Sequence, residues 1–167
     1  MPLPNDFIKV QDFRKIHDRQ FRRWPPHINI LYPFVAKKYY KEALPLIKKA
    51  LIGIKPFEIT FKEIRYFEHK SKRCTLYLAP NPKEKMKELY SRLLKVFPFC
   101  NHQSSFKGGF TPHLSIGQAQ NKIEAEKLLE EAKNELCPIS FFVKSVYILS
   151  RNDPPDDIFR KEFEIQF

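Results

Sequence analysis

One motif occurs twice in this chain. Trp24-Pro25-Pro26-His27-Ile28-Asn29-Ile30 and Phe110-Thr111-Pro112-His113-Leu114-Ser115-Ile116 both read aromatic, any residue, Pro, His, aliphatic, small polar, Ile. The two histidines stand 86 positions apart in a chain of 167 residues, about half its length. A repeat at that interval implies two copies of one structural unit, each with its own strand and helix pattern.

The segments that follow each copy bear this out as a sequence pattern. After the first, Ala43, Leu44, Ile47, Ala50, Leu51 and Ile54 fall at helical spacing, with Pro45 tolerable near a helix start or at a kink. After the second, Ile123, Ala125, Leu128, Leu129, Ala132 and Leu136 mark a cleaner amphipathic helix that Pro138 closes. Phe57 to Phe67 and Ile139 to Leu149 then read as Phe/Ile/Val/Tyr-rich strands. Each half ends in a further strand, Cys74 to Ala79 and Phe159 to Phe167, reached through polar turns at His69 to Arg73 and Arg151 to Asp157. A helix over Lys83 to Val96 has no counterpart and joins the halves.

The predicted fold is α+β and bilobal. Two duplicated β-α-β-β lobes with pseudo-two-fold symmetry place two antiparallel sheets around a central cleft, with helices on the outside. Lobe one covers about 21–80, the linking helix about 82–97 and lobe two about 106–167, all within a single domain over 1–167, exchange of terminal elements being allowed. The opening stretch, Met1 to Arg22, mixes Phe7, Ile8, Phe13, Ile16 and Phe21 with Arg14, Lys15, Arg19 and Arg22, and reads either as a docked helix or as a basic arm.

In an extended strand, side chains alternate between faces. The first copy then sends His27 and Asn29 to one side, and the second sends His113 and Ser115 to one side. A duplicated core has reason to repeat its apolar positions but little reason to repeat a titratable residue on the polar side. Facing across one cleft, two imidazoles suit acid-base displacement at phosphorus: a neutral ring takes a proton from the nucleophile and a protonated ring gives one to the leaving oxygen. The Ser115 hydroxyl and Asn29 amide are placed to donate to non-bridging phosphoryl oxygens. No carboxylate lies near either histidine in sequence, so no metal site is expected. His17, His69 and His102 read as surface or turn residues.

Composition narrows the classes further. The only glycines, Gly53, Gly108, Gly109 and Gly117, cannot supply a dinucleotide fingerprint or a Walker loop, and no cofactor is called for. Thirty Lys and Arg against nineteen Asp and Glu give a formal charge of +11, which favours a polyanionic or phosphorylated ligand. Cys74, Cys100 and Cys137 have neither zinc-type spacing nor an even count, and are expected as reduced thiols. Neither a signal-peptide-like apolar start nor a membrane-length apolar run is present, so an intracellular location, cytoplasmic or nuclear, and no membrane are expected. No stripe demands a partner chain, so a monomer is the default.

The two motifs resemble those of the 2H phosphoesterase superfamily, named for paired His-x-Thr/Ser elements, whose members include the 2′-5′ RNA ligase-like proteins and cyclic phosphodiesterases. Arg23 to Phe34, RWPPHINILYPF, is similar to one branch of the ligase-like group, and Thr111 to Gln118, TPHLSIGQ, fits the second motif. The resemblance covers nearly the whole chain. It implies a bilobal α/β fold, His27 and His113 as the catalytic pair, and Ser115 as a phosphate contact. Asn29 departs from the usual Thr or Ser, which alters reach and hydrogen-bonding options. The implied substrates are 2′,3′-cyclic phosphates, 2′-5′ linkages or ADP-ribose cyclic phosphates in RNA processing.

Around the histidines, Trp24, Tyr32 and Phe110 are candidates for holding a base by stacking, and Lys107, Arg23 and Arg151 for holding phosphate. The leading expectation is a metal-independent phosphodiesterase, a phosphoric diester hydrolase, acting on RNA or a nucleotide. A binding module for RNA ends that has lost turnover and a 2′-5′ RNA ligase are the alternatives.

Overall fold

The computed structural model describes residues 5–105, 108–136 and 138–167. In chain order the elements are α1 (Asn5–His17), α2 (Tyr40–Leu51), β1 (Phe57–Glu68), β2 (Cys74–Asn81), α3 (Lys83–Val96), β3 (Leu114–Ala119), α4 (Lys122–Glu135), β4 (Ile139–Val143), β5 (Ser145–Ser150) and β6 (Arg160–Gln166), with 3-10 turns at Lys37–Tyr39 and His102–Ser105. The class is α+β. One sheet has the order β3-β2-β1-β4, with β1/β2 and β2/β3 antiparallel, and a second pairs β5 with β6 antiparallel.

The chain forms two compact units, neither of them a continuous half of the sequence. The first takes residues up to 28, 60–81 and 113–141; the second takes 29–59, 82–112 and 142 onward. The lobe limits expected at 21–80 and 106–167 are therefore not those of the units.

Within the first unit, α1 is a docked helix. Phe7, Val10 and Phe13 recur at three-residue spacing and are buried, whereas Ile8 and Ile16 lie on the opposite side and are exposed. Helix α1 packs on β3, and the fit is close. A Cβ added at Gly117 would meet the Cβ of His17 at 3.1 Å and Cδ2 of Leu128, on α4, at 3.2 Å. Helix α4 opens with an Asn121 cap whose side chain accepts from the Glu124 amide at 3.0 Å, and it buries Ala125, Leu128 and Ala132. Leu76, Tyr77 and Leu78 are consecutive buried residues of β2, a strand with neighbours on both edges.

In the second unit α2 and α3 pack together, burying Tyr40, Ala43, Ile47 and Leu51 from one and Met86, Leu89, Tyr90 and Leu93 from the other. Phe34 meets Phe97 edge to face at 5.1 Å, and Tyr40 meets Phe163 likewise at 6.4 Å.

Two strand expectations are corrected. No strand carries the first motif: residues 24–36 are irregular. The likeness in residue type does not extend to the backbone: β3 begins at Leu114, whereas its counterpart Ile28 lies in an irregular segment. The first half is α2-β1-β2 where the repeat predicts β-α-β-β. The strand expected over 139–149 is also divided, since β4 neighbours β1 whereas β5 pairs with β6. The Lys144 carbonyl between them accepts from the Phe167 amide at 3.1 Å, so pairing with the C-terminal strand begins there.

Candidate active site

Both motif histidines belong to the first unit. His113 immediately precedes β3, and its ring stands edge-on to two stacked aromatics, 5.0 Å from Phe67 and 5.5 Å from Tyr77. Those two rings are 4.1 Å apart and 16° from parallel. The register explains the stack: Arg65 pairs with Tyr77 and Phe67 with Thr75, so Phe67 and Tyr77 are diagonal neighbours on one face of β1 and β2. Tyr77 in turn pairs with Ser115 on β3, next to a bulge at Ile116 that shifts the register. His113, Ser115, Tyr77 and Phe67 thus share one face of the sheet.

His27 sits on an irregular segment held from three directions. Its Nδ1 lies 2.7 Å from the Pro25 carbonyl oxygen. A carbonyl only accepts, so Nδ1 carries the proton and Nε2 keeps the lone pair in the neutral ring. The Trp24 indole lies against the imidazole, centroids 4.5 Å apart and 19° from parallel. The Trp24 carbonyl accepts from Arg14 at 3.1 Å.

Among the described residues Arg14 is the largest fully buried side chain, 2% exposed. Its guanidinium makes two bonds to Asp18 Oδ2, at 2.8 and 3.0 Å, and one to Gln11 at 2.9 Å. The other Asp18 oxygen accepts from the Gln20 amide and from Gln118 Nε2, both at 2.9 Å. Gln118 lies on β3 and also accepts from the Arg19 amide at 2.8 Å. One buried carboxylate therefore ties the loop leading to His27 to the strand that His113 begins.

The electrostatics follow from this packing. Burial holds the His27 pKa below the usual 6.5; the bond to Pro25 opposes that, the charges of Arg14 and His113 lower it further, and Asp18 raises it. Burial also pushes the Tyr77 hydroxyl up. Among the described residues, no group of three or more His, Cys, Asp or Glu side chains is placed to hold a metal ion.

The other expected residues are placed as follows. Asn29 and Tyr32 belong to the second unit, where the Asn29 carbonyl accepts from Gln103 at 3.2 Å and Tyr32 is exposed. Phe110, in the second unit, is 7% exposed and stacked on Tyr90 at 4.3 Å. Trp24 is likewise engaged on one face by His27. Arg151, also in the second unit, pairs with Asp157 and stands over the Phe159 ring. Arg23 bonds Gln20. Lys107 lies outside the described residues, as does Cys137, while Cys74 and Cys100 are free and buried. His17 is not a plain surface residue: it pairs with Glu131 at 3.0 Å and packs on Phe13. His69 is in the expected turn.

Sequence reasoning missed Arg14, Asp18, Gln118 and Tyr77. A signal for the first pair exists. Arg14 follows Val10 at four residues and precedes Asp18 at four, which places an ion pair beside the apolar stripe of α1. Tyr77 carries no such mark, because its partner Ser115 is 38 residues away and only the register joins them.

This fold, with His113 before the edge strand of its sheet and His27 in the same unit, has recognisable relatives. The model of the 2′-5′ RNA ligase superfamily matches residues 2–155, and the chain belongs to that family. It is 28% identical over 117 residues to an RNA 2′,3′-cyclic phosphodiesterase of Thermotoga maritima, an alignment that covers 69% of this chain and 60% of that protein. The crystal structure of TT0787 from Thermus thermophilus superposes with a TM-score of 0.63 over 98% of this chain and 93% of that one, at 14% identity. No described helix is long and apolar enough to cross a membrane.

Proposed function

We propose that the protein is a phosphodiesterase that opens a 2′,3′-cyclic phosphate, or cleaves a 2′-5′ linkage, at the end of an RNA or on a nucleotide, with His27 and His113 as its proton-transfer pair. The observation that carries this reading is the tethered His27: Nδ1 given to the Pro25 carbonyl, Nε2 left as acceptor, and the ring in the same compact unit as His113. The family and the name of the Thermotoga relative support the substrate class.

In the proposed step the oxygen of a water molecule attacks phosphorus while His27 Nε2 takes its proton. The bond from phosphorus to one ribose oxygen breaks, and protonated His113 gives that oxygen its proton, leaving a phosphomonoester and a free hydroxyl. The lowered pKa suits His27 to the base, since a neutral ring is what that role needs at neutral pH. Ser115, on the same sheet face as His113, is assigned to a non-bridging oxygen, whose charge grows in the transition state. Both proton transfers are supplied by side chains, so turnover is expected to survive a chelator.

Incubation with nucleoside 2′,3′-cyclic phosphates and with 2′-5′ dinucleotides, in the presence of a chelator, tests the reading. Ring opening with a bell-shaped pH dependence is expected, and resolving the 2′ from the 3′ product fixes which oxygen His113 protonates. Binding of these compounds without any product contradicts it in favour of a capture module. Joining of a cyclic-phosphate end to a 5′-hydroxyl RNA supplied in excess shows the same step run in reverse.

A further inference from the structure

We infer that the tip of the β1–β2 hairpin, His69 to Arg73, is a contact for the backbone phosphates of single-stranded RNA whose terminal phosphate lies at His113. This rests on the proposed function and deepens it, because it makes the substrate a polynucleotide end and not a free nucleotide.

The first observation is a lysine in an unfavourable backbone position. The Lys72 amide donates to the His69 carbonyl and the His69 amide to the Arg73 carbonyl, both at 2.8 Å, which closes a tight three-residue loop. Such loops place a left-handed residue before the returning strand, where glycine is the favoured choice. Here that residue is Lys72, at φ 61°. A Cβ and a long cation stand where the backbone alone favours neither.

The second observation is charge. His-Lys-Ser-Lys-Arg is exposed along its whole length, and among the described residues no carboxylate is in ion-pair contact with Lys70, Lys72 or Arg73. The third is position. His69 Nε2 and Thr75 Oγ1 are 2.9 Å apart, so the tip is pinned to a residue two places from Tyr77 on the same face. Phe67, the ring that His113 abuts, is two residues before His69. Two strand residues span about 7 Å. A chain bound with its terminal phosphate at His113 has its neighbouring phosphates within reach of three cations.

The test uses a fluorescently labelled single-stranded oligoribonucleotide, read by anisotropy across a salt series, with Lys72→Gly and Lys70→Ser/Arg73→Ser proteins. Each phosphate contact on a single strand contributes about 0.7 to the salt slope, or about fivefold in affinity at 0.1 M salt. Lys72→Gly is expected to lose about fivefold and melt no lower than the parent; the double variant is expected to lose about 25-fold with a slope smaller by about 1.4. Parental affinity and slope in the double variant overturn the proposal. Where turnover is seen, the ratio of kcat/KM for a cyclic-phosphate oligonucleotide to that for a nucleoside cyclic phosphate should fall by a similar factor, and an unmoved ratio overturns the placement of the RNA end at His113. Binding is read without turnover, so failure of the hairpin and failure of the histidines are separate results.

Discussion

Arg14 donates to the backbone carbonyl of Trp24 at 3.1 Å, and through that bond a buried helix side chain grips the segment that presents His27. Ion pairs that leave water for a protein interior gain little net stability, but breaking one partner leaves an uncompensated charge. Arg14→Met is expected to destabilise the protein by about 3–5 kcal/mol, because Asp18, 5% exposed, keeps its charge without its cation. Denaturant unfolding measures this. Arg14→Met/Asp18→Leu should recover much of the loss while still disturbing the Trp24 segment, and recovery of stability without recovery of activity is the expected signature.

The His27 pKa gives stability a pH dependence of definite sign. Its folded value lies below 6.5, so the unfolded chain binds the extra proton more readily. The contribution is fully present above the unfolded value and is lost as pH falls through 6.5 and on through the folded value. Melting temperatures followed from neutral to acid pH should decline below about 6.5 more steeply for the parent than for His27→Gln. Equal declines contradict the burial of a neutral ring.

Gly117 makes a second structural prediction. A methyl there meets the His17 Cβ at 3.1 Å, and that atom moves only with the end of α1. Gly117→Ala is expected to cost about 1–3 kcal/mol, read as a lower denaturation midpoint at unchanged m-value. A neutral result means that α1 gives way easily, which in turn predicts little effect on the Arg14–Trp24 contact.

Much of the scaffold was legible because local pattern and tertiary packing agree there. Lys83–Val96 is the helix expected there, α4 buries Ala125, Leu128 and Ala132 of the predicted amphipathic pattern, and the 69–73 turn falls between β1 and β2. The failures are places where tertiary partners decide. Phe141-Phe142-Val143 runs on into Ser145-Val146 in sequence with no breaker, yet the pairing partner changes at Lys144. The first motif copies the second in residue type, yet only the second runs into a strand. In α1, Ile8 and Ile16 count as apolar in any pattern, whereas the packed stripe is Phe7, Val10, Phe13 and the charged Arg14. The histidines could be picked out by repetition alone. Tyr77, which His113 touches, could not, because register is invisible in a single chain.

The central claim is that His27 and His113 together transfer the protons. Single-turnover opening of a nucleoside 2′,3′-cyclic phosphate by His27→Ala and by His113→Ala proteins, each shown to fold by its melting transition, tests it most directly. The account predicts that each substitution lowers the rate by about 10²–10⁴-fold. A rate within a few-fold of the parent in either variant contradicts it.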